Sequence, residues 1–168
     1  MQSEEKKKNR KLQKALLLTA IIIVIAQAIN IYVVSNVKEG GLVLVESFLK
    51  LTYVENTGGA FGIGANDTIG FVLINLLILG IIFRFMFSQI ERIDKKTMLA
   101  LNLMLAGGIS NLIDRIVRGF VVDYIDISPI FKFPVFNLAD ICIFFGWVIL
   151  VISIIIYWRK ELKNKRKV

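Results

Sequence analysis

The chain has 168 residues, 56% of them hydrophobic, and a mean hydropathy of +0.69. Such an apolar composition is typical of a compact membrane protein and argues against a soluble domain of this length. The formal net charge of +8 would suit a nucleic-acid-binding protein, but the basic residues cluster beside apolar runs. Six, four and six of the twenty-one Lys and Arg residues lie in 6–14, 84–96 and 159–167. This is the pattern of cytoplasmic loops in membrane proteins, and no basic and aromatic surface is left for nucleic acid.

Four apolar runs predict four transmembrane helices. We place them at 15–35, 68–87, 97–117 and 135–158, with external loops at 36–67 and 118–134, a cytoplasmic loop at 88–96, and cytoplasmic tails at 1–14 and 159–168. The first ten residues are highly charged, and we expect a frayed tail there. The predicted fold class is an all-α membrane protein of one domain, with both termini cytoplasmic and a small extracytoplasmic β-rich region.

The first span has an alternative interpretation as a cleaved signal peptide. Basic residues precede an apolar run, and the small-residue triplet Ala26-Gln27-Ala28 resembles a cleavage site. The run continues to Val34, however, and further spans follow, so we retain it as a transmembrane helix.

The first external loop combines strand-forming and glycine-rich segments. Gly40-Gly41 indicates a turn, and residues 42–55 are rich in Val, Leu, Phe and Tyr, which predicts one or two short strands at the membrane interface. The following segment, ENTGGAFGIGAND, has the glycines of a phosphate loop but lacks its Lys-Ser/Thr ending and its α/β context. Asn56 is the side chain in this loop best suited to hold a peptide.

Polar side chains concentrate at the external ends of the third and fourth spans. Asn111, Asp114 and Arg115 share one helix face because their spacing is i, i+3 and i+4. Asn137 and Asp140 open the fourth span in the same way. Ionisable groups at the edge of the hydrocarbon layer are costly and therefore indicate a functional site.

Two carboxylates converge in this topology. Asp123 lies in the short connection between the third and fourth spans, and Asp140 lies near the external end of the fourth. Two adjacent carboxylates share a proton, so one can act as a base on water while the other donates a proton. That is the arrangement of an aspartic protease. The same groups would also suit a cation or proton pathway, and residue chemistry alone leaves protease and transporter open.

Other polar residues have simpler explanations. For Asp114 we favour a structural ion pair with Arg115 or a neighbour, and for Asp126 a place in a solvated loop. We expect Asn75 and Asn102 to form hydrogen bonds between helices. A Ser-Lys nucleophile built from Ser128 and Lys132 is disfavoured because Pro129 lies between them.

Nucleophiles and metal sites are restricted by composition. The chain has no histidine, which excludes Ser-His and Cys-His nucleophiles and most zinc sites. Its one cysteine, Cys142, lies inside an apolar run, where we expect a buried small hydrophobe and no disulfide. We expect no metal and no cofactor.

Three segments resemble the distal signature boxes of the lipoprotein signal peptidases (signal peptidase II): ENTGGAFGIG, GGISNLIDRIVRGFVVDYIDI and FPVFNLAD. Their order and spacing match, and the four-span pattern extends the similarity over nearly the whole chain. The resemblance implies a bacterial inner-membrane aspartic endopeptidase with an outward-facing active site. Such an enzyme removes signal peptides from prolipoproteins on the amino side of a diacylglyceryl-modified cysteine.

The resemblance also implies roles for individual residues. The catalytic pair falls on Asp123 and Asp140. Substrate-positioning residues fall on Asn56, Asn111, Arg115 and Asn137, with structural support from Asp114, Gly58, Gly108 and Ala139. The implied partners are lipidated prolipoproteins, membrane lipids and the cyclic peptide antibiotics that block the family, and we expect a monomer.

One box departs from the family. Its first span usually carries Asp-Gln-x-x-Lys, whereas this chain has Ala26-Gln27-Ala28-Ile29-Asn30. The usual Asp and Lys, one turn apart, could pair, and replacing both partners of a buried pair is nearly neutral for stability. We therefore predict an active peptidase. The alternatives are a specialised or weakly active paralogue, or a small membrane transporter or binding protein that uses the same carboxylates.

Overall fold

The structure, a computed structural model, describes residues 2–59, 64 and 67–165. Most of the glycine-rich loop, including Gly62, and the ends of the chain at residues 1 and 166–168 lie outside this description. In chain order, the elements are α1 (Gln2–Asn36), β1 (Leu42–Val45), β2 (Leu49–Asn56), α2 (Thr68–Gln89), α3 (Lys95–Arg118), β3 (Val121–Asp126) and α4 (Leu138–Lys165).

All four of these helices are long and apolar enough to cross a membrane. Their outer faces expose large apolar side chains, such as Val24 on α1, Leu77 on α2 and Phe144 on α4. In water such an apolar surface would promote aggregation, but it suits contact with lipid chains. The predicted class, a four-helix membrane protein with a small β-rich region, is confirmed.

Helix α3 forms the centre of the bundle. About 72% of its apolar window is buried, against 17–22% for the other three helices. Glycine permits the close approach of α4, because a side chain at Gly107 would collide with the Ala139 carbonyl oxygen and one at Gly146 with Met104. The helix begins after Asp94, whose carboxylate accepts hydrogen bonds from two backbone N–H groups of the first turn. Asn111, Asp114 and Arg115 lie at the far end of the helix from this cap.

The sheet lies at that far end, in the antiparallel order β1-β2-β3. It packs on the last turns of α1, where Val33 and Val37 form a buried apolar cluster with Val122 and Tyr124. The strands predicted within 42–55 are present. Strand β3, in contrast, lies where we expected only a connecting loop. This strand is short and almost fully buried, because β2 covers its edge and α1 covers one face.

The ends of the helices also differ from expectation. Helix α1 begins at Gln2, so residues 2–10 are helical and not a frayed tail. Lys8 pairs with Glu91, and Lys11 donates to the Ile93 carbonyl, which docks this extension on the α2–α3 connection. Helix α4 begins at Leu138, after the expected start at residue 135, because Asn137 serves as its N-cap.

Candidate active site

A cleft of about 790 Å³ opens between the sheet, the C-terminal end of α3 and the N-terminal end of α4. One side is polar, and the other is formed by aromatic and aliphatic side chains. The polar residues that line it include Asn56, Asn111, Arg115, Asp123 and Asp140, and the apolar residues include Val121, Phe133, Phe136, Ile143, Phe144 and Trp147. These five predicted site residues, from β2, α3, β3 and α4, thus meet at one cleft, whereas Asn137, which was also predicted to bind substrate, lies behind its lining.

Asp123 is held from two sides in the middle of β3. It is 2% exposed, and Asn56 Nδ2 donates to its Oδ2 over 2.8 Å while Asn137 Nδ2 donates to its Oδ1 over 2.8 Å. Asn56 reaches it because β2 and β3 pair antiparallel with Asn56 opposite Val121. Burial, followed by the nearby charge of Asp140, raises the pKa of Asp123 to about 7, although the two amide donors oppose the shift. Asp123 is therefore poised to hold or release a proton near neutral pH.

Asp140 lies in the first turn of α4, where a carboxylate is favoured by the helix dipole. Asn111 Nδ2 donates to its Oδ1 over 2.9 Å, and the backbone N–H of Asn137 donates to its Oδ2 over 3.1 Å. In return, the backbone N–H of Asp140 donates to Asn137 Oδ1 over 3.0 Å. This reciprocal pair is a capping box, so the same bonds start the helix and orient the carboxylate.

Asn137 connects the two carboxylates. Its Nδ2 lies within hydrogen-bond distance of Asp123 Oδ1, Asn111 Oδ1 and the Val122 carbonyl oxygen. The segment that carries it is fixed beside β3, because Phe136 exchanges backbone hydrogen bonds with Ile125. The geometry of the pair therefore depends on one buried amide.

Arg115 supplies a positive charge to the cleft. Its Nη2 donates to the Gly58 carbonyl over 2.9 Å, and its guanidinium lies 5.3 Å from the centre of the Phe71 ring. Its Nε is buried and has no hydrogen-bond partner among the described residues. The guanidinium thus ties α3 to the loop after β2.

The residues expected to give structural support occupy close contacts between elements. Gly58 is buried, and its backbone N–H donates to Asn56 Oδ1. The Gly108 carbonyl accepts a hydrogen bond from Asn75 Nδ2 over 3.0 Å, which confirms the interhelical bond expected for Asn75. Ala139 is buried where α4 approaches Gly107. Asn102 differs from expectation, because its buried Oδ1 has no partner among the described residues.

Asp114 does not line the cleft. It is completely buried, and its ion-pair partner is Arg118 and not Arg115. Arg115 points toward Gly58 instead, because one residue along a helix rotates the side chain by about 100°. Asn30 of α1 donates to Asp114 Oδ2 over 2.9 Å.

Asp126 is not in a solvated loop, contrary to the sequence-based expectation. It ends β3 at 4% exposure, where it pairs with Lys50 over 3.2 Å and accepts a hydrogen bond from Thr52. Burial would raise its pKa, but the hydrogen bonds from Ser128, Lys50 and Thr52 outweigh burial and lower the pKa to about 2. It stabilises the sheet and does not line the cleft.

Sequence reasoning missed two residues that shape the site. Tyr124 Oη accepts a hydrogen bond from the backbone N–H of Leu138 over 3.2 Å and so joins β3 to the start of α4. Arg118 pairs with Asp114 at i, i+4. That spacing was readable from the sequence, whereas the contact of Tyr124 arises only from tertiary packing. No group of three His, Cys, Asp or Glu side chains in the described ranges is placed to hold a metal ion.

Comparison with known proteins gives a consistent match. The sequence model of the family described as "Signal peptidase (SPase) II" matches residues 18–156. A lipoprotein signal peptidase of Moorella thermoacetica is 40% identical over 136 residues, which cover 80% of this chain and 88% of that protein. One of Clostridioides difficile is 32% identical, with 87% and 97% covered.

Solved structures match the fold as well. A bacterial membrane enzyme solved by the in meso method at 2.3 Å resolution superposes with a TM-score of 0.78 and 27% identity, covering 91% of this chain and 92% of that chain. A second bacterial membrane enzyme, solved at 1.9 Å, has a TM-score of 0.75 and 28% identity, with 84% and 92% covered. The chain belongs to the signal peptidase II family, a family of membrane aspartic proteases.

Proposed function

We propose that this protein is an endopeptidase that removes signal peptides from diacylglyceryl-modified prolipoproteins, with Asp123 and Asp140 as its catalytic pair. The observation that carries the proposal is the placement of both carboxylates in one cleft, connected through Asn137. Family membership supports the reaction class. The cleft supports the substrate class, because its apolar side suits lipid chains and its polar side suits a peptide.

Water attack follows from the protonation of the pair. With a pKa of about 7, Asp123 retains its proton in mildly acidic to neutral conditions, so we assign Asp140 as the base that accepts a proton from water. Asp123 then donates its proton to the peptide carbonyl oxygen as the tetrahedral intermediate forms. Both groups reverse roles when the amine leaves, as general acid–base catalysis requires. No acyl-enzyme forms in this scheme, because water attacks directly.

The neighbouring polar groups would position the peptide. Arg115 lines the cleft, and Asn56 and Asn111 each hold one carboxylate with a side-chain amide. We infer that the peptide lies extended between the catalytic pair and the loop after β2, where its carbonyl groups meet these donors. Residues 42–55 would form a platform above it.

The apolar wall of the cleft would receive the acyl chains. Ile143, Phe144 and Trp147 line the cleft from α4, and Phe144 and Trp147 are more than half exposed. We infer that the lipidated cysteine enters laterally along this face. The cyclic peptide antibiotics that block the family would occupy the same cleft.

We place the cleft on the outer side of the bacterial cytoplasmic membrane, with both termini in the cytoplasm. The support is the charge distribution. The basic start of α1 docks on the α2–α3 connection, and α4 ends in Lys163 and Lys165. Basic segments remain on the cytoplasmic side, so the sheet and cleft face outward.

The test is cleavage of a synthetic diacylglyceryl-cysteine propeptide by the purified protein in detergent. We expect cleavage by the wild type and none by Asp123→Asn or Asp140→Asn. Asp126→Asn is the matched control, because it alters a carboxylate of the same strand that does not line the cleft. The same peptide with an unmodified cysteine tests the need for the lipid. A folded wild type that cleaves neither peptide would overturn the proposal and favour the transporter or binding function.

A further inference from the structure

Asp114 is a buried charge that takes no direct part in the proposed reaction. It is 0% exposed and accepts three hydrogen bonds: from Arg118 Nη1 at Oδ1, and from Asn30 Nδ2 and the Val122 backbone N–H at Oδ2. A buried carboxylate is costly unless it is both paired and hydrogen-bonded. Both conditions are met here, which points to a role for the groups around it.

Arg118 alone neutralises that charge in the described part of the chain. The group that α1 offers is the Asn30 amide, which carries no charge. Only 20% of the Arg118 side chain is exposed, so water screens the pair weakly. Gln27 Oε1 lies 3.5 Å from the same guanidinium nitrogen, and Gln27 in turn donates to Ser110. The guanidinium is thus held between α1 and α3.

The Asp114 carboxylate connects this pair to the backbone beside Asp123. Val122 directly precedes Asp123 and is completely buried. Its N–H donates to Asp114 Oδ2 over 3.0 Å, and its carbonyl oxygen lies 3.3 Å from Asn137 Nδ2. Both backbone polar groups of this residue are therefore fixed by the network, and a shift of Asp114 would move the strand that carries Asp123.

We propose that Arg118 is a positioning residue of this chain: by holding the Asp114 carboxylate it fixes the Val122 N–H and, through it, the placement of Asp123. The inference rests on the proposed function, since it concerns the same reaction. Arg118 does not line the cleft, so it acts through Asp114 and not on the substrate. In this chain Arg118 of α3 neutralises the charge of Asp114, whereas Asn30 of α1 contributes only an uncharged amide.

The test compares Arg118→Met, which keeps the length of the side chain and removes the charge, with Arg84→Met, which removes an exposed arginine of α2. We expect Arg118→Met to lower kcat about ten- to a hundredfold, the loss that a misplacement of order 1 Å produces. KM should stay within about twofold, because the cleft surface is unchanged. Arg84→Met and Arg118→Lys should both remain near the wild type.

The decisive experiment is a rescue. Asn30 Nδ2 lies 2.9 Å from Asp114 Oδ2, so Asn30→Lys places an ammonium group within reach of the same carboxylate. In the Arg118→Met background this change should restore most of kcat and also the thermal midpoint in detergent. Should Arg118→Met be too unstable to purify, the double variant and Arg118→Lys still report on the charge.

Three results would overturn the inference: unchanged kcat in Arg118→Met, a defect confined to KM, or failure of Asn30→Lys to rescue the variant. These outcomes are distinct from failure of the proposed function. If the proposed function fails, the wild type itself does not cleave the lipidated peptide. If only the inference about Arg118 fails, the wild type still cleaves it.

Discussion

Asn137 Nδ2 donates a hydrogen bond to Asp123 Oδ1 over 2.8 Å, and the same residue caps the helix that carries Asp140. One amide side chain therefore sets the relative position of two carboxylates that come from a strand and from a helix. Because its oxygen and its nitrogen serve different partners, the capping and bridging roles can be separated by substitution.

Asn137→Ser should separate them. Serine retains an oxygen able to accept from the Asp140 N–H but has no amide donor for Asp123. Because the buried amide also bonds Asn111 and the Val122 carbonyl, we expect a loss of about 1–3 kcal/mol of stability and a loss of about tenfold or more in kcat. Asn137→Ala should lose the activity and a further stability of about 1 kcal/mol, because it also removes the helix cap. Thermal unfolding and single-turnover cleavage measure the two effects, and full activity of the serine variant would contradict the bridging role.

The pH profile should report on the pair. Asp123 has a raised pKa of about 7, so its carboxyl group is protonated below that pH and ionised above it. Since the proposed mechanism needs its proton, kcat/KM should fall as pH rises through about 7. The measurement is initial-rate cleavage between pH 5 and 9, with thermal unfolding at each pH to exclude loss of the fold. An activity that rises steadily through this range would be incompatible with Asp123 as the proton donor.

Asn56→Leu should move that profile. The Asn56 amide donates to Asp123 Oδ2 and lowers the pKa of Asp123. Without this donor the ionised form of Asp123 is less favoured and its pKa rises. The pH at which kcat/KM falls should therefore increase by about one unit. Asn75→Leu is the matched control, because this amide donates to the Gly108 carbonyl and not to the pair. If the pH at which kcat/KM falls is unchanged in Asn56→Leu, or increases equally in both variants, the result would count against this assignment.

The packing of α3 on α4 should be sensitive to a single methyl group. Gly107→Ala places a carbon against the Ala139 carbonyl oxygen and the Ile143 side chain, so the two helices must separate. We expect a loss of about 1–3 kcal/mol, typical of overpacking. At Gly80 nothing lies within 4 Å of the added carbon, so Gly80→Ala should be neutral or stabilising by up to about 1 kcal/mol. Equal thermal midpoints for the two variants would contradict the close approach.

The Lys50–Asp126 pair should stabilise the sheet in a pH-dependent way. The pKa of Asp126 is lowered to about 2 in the folded protein, below the unfolded value of about 3.9. The contribution of the ionised Asp126 to the free energy of unfolding is therefore fully present above pH 4 and is lost as pH falls toward 2. Lys50→Met should cost about 1–3 kcal/mol at pH 7, and this difference should shrink in acid. Lys38→Met, which removes an exposed pair with Glu55, should cost less than about 1 kcal/mol.

Much of the architecture was determined by the sequence alone. Apolar runs of sufficient length can only cross a membrane as helices, because backbone groups must be satisfied within the segment. The spacing of Asn111, Asp114 and Arg115 placed polar groups near one end of α3, and the basic clusters indicated which ends share a side. These properties are local, so they can be predicted from the sequence without knowledge of the tertiary packing.

Tertiary structure decided which partner each polar group takes. Strand β3 exists because β2 and α1 cover it, and the same burial takes Asp126 out of solvent and joins it to Lys50. Asp114 pairs with Arg118 and binds Asn30 because α1 packs on that face of α3. Hydrogen-bond partners distant in the chain meet only when helices and strands are packed together, and periodicity within one segment carries no information about them.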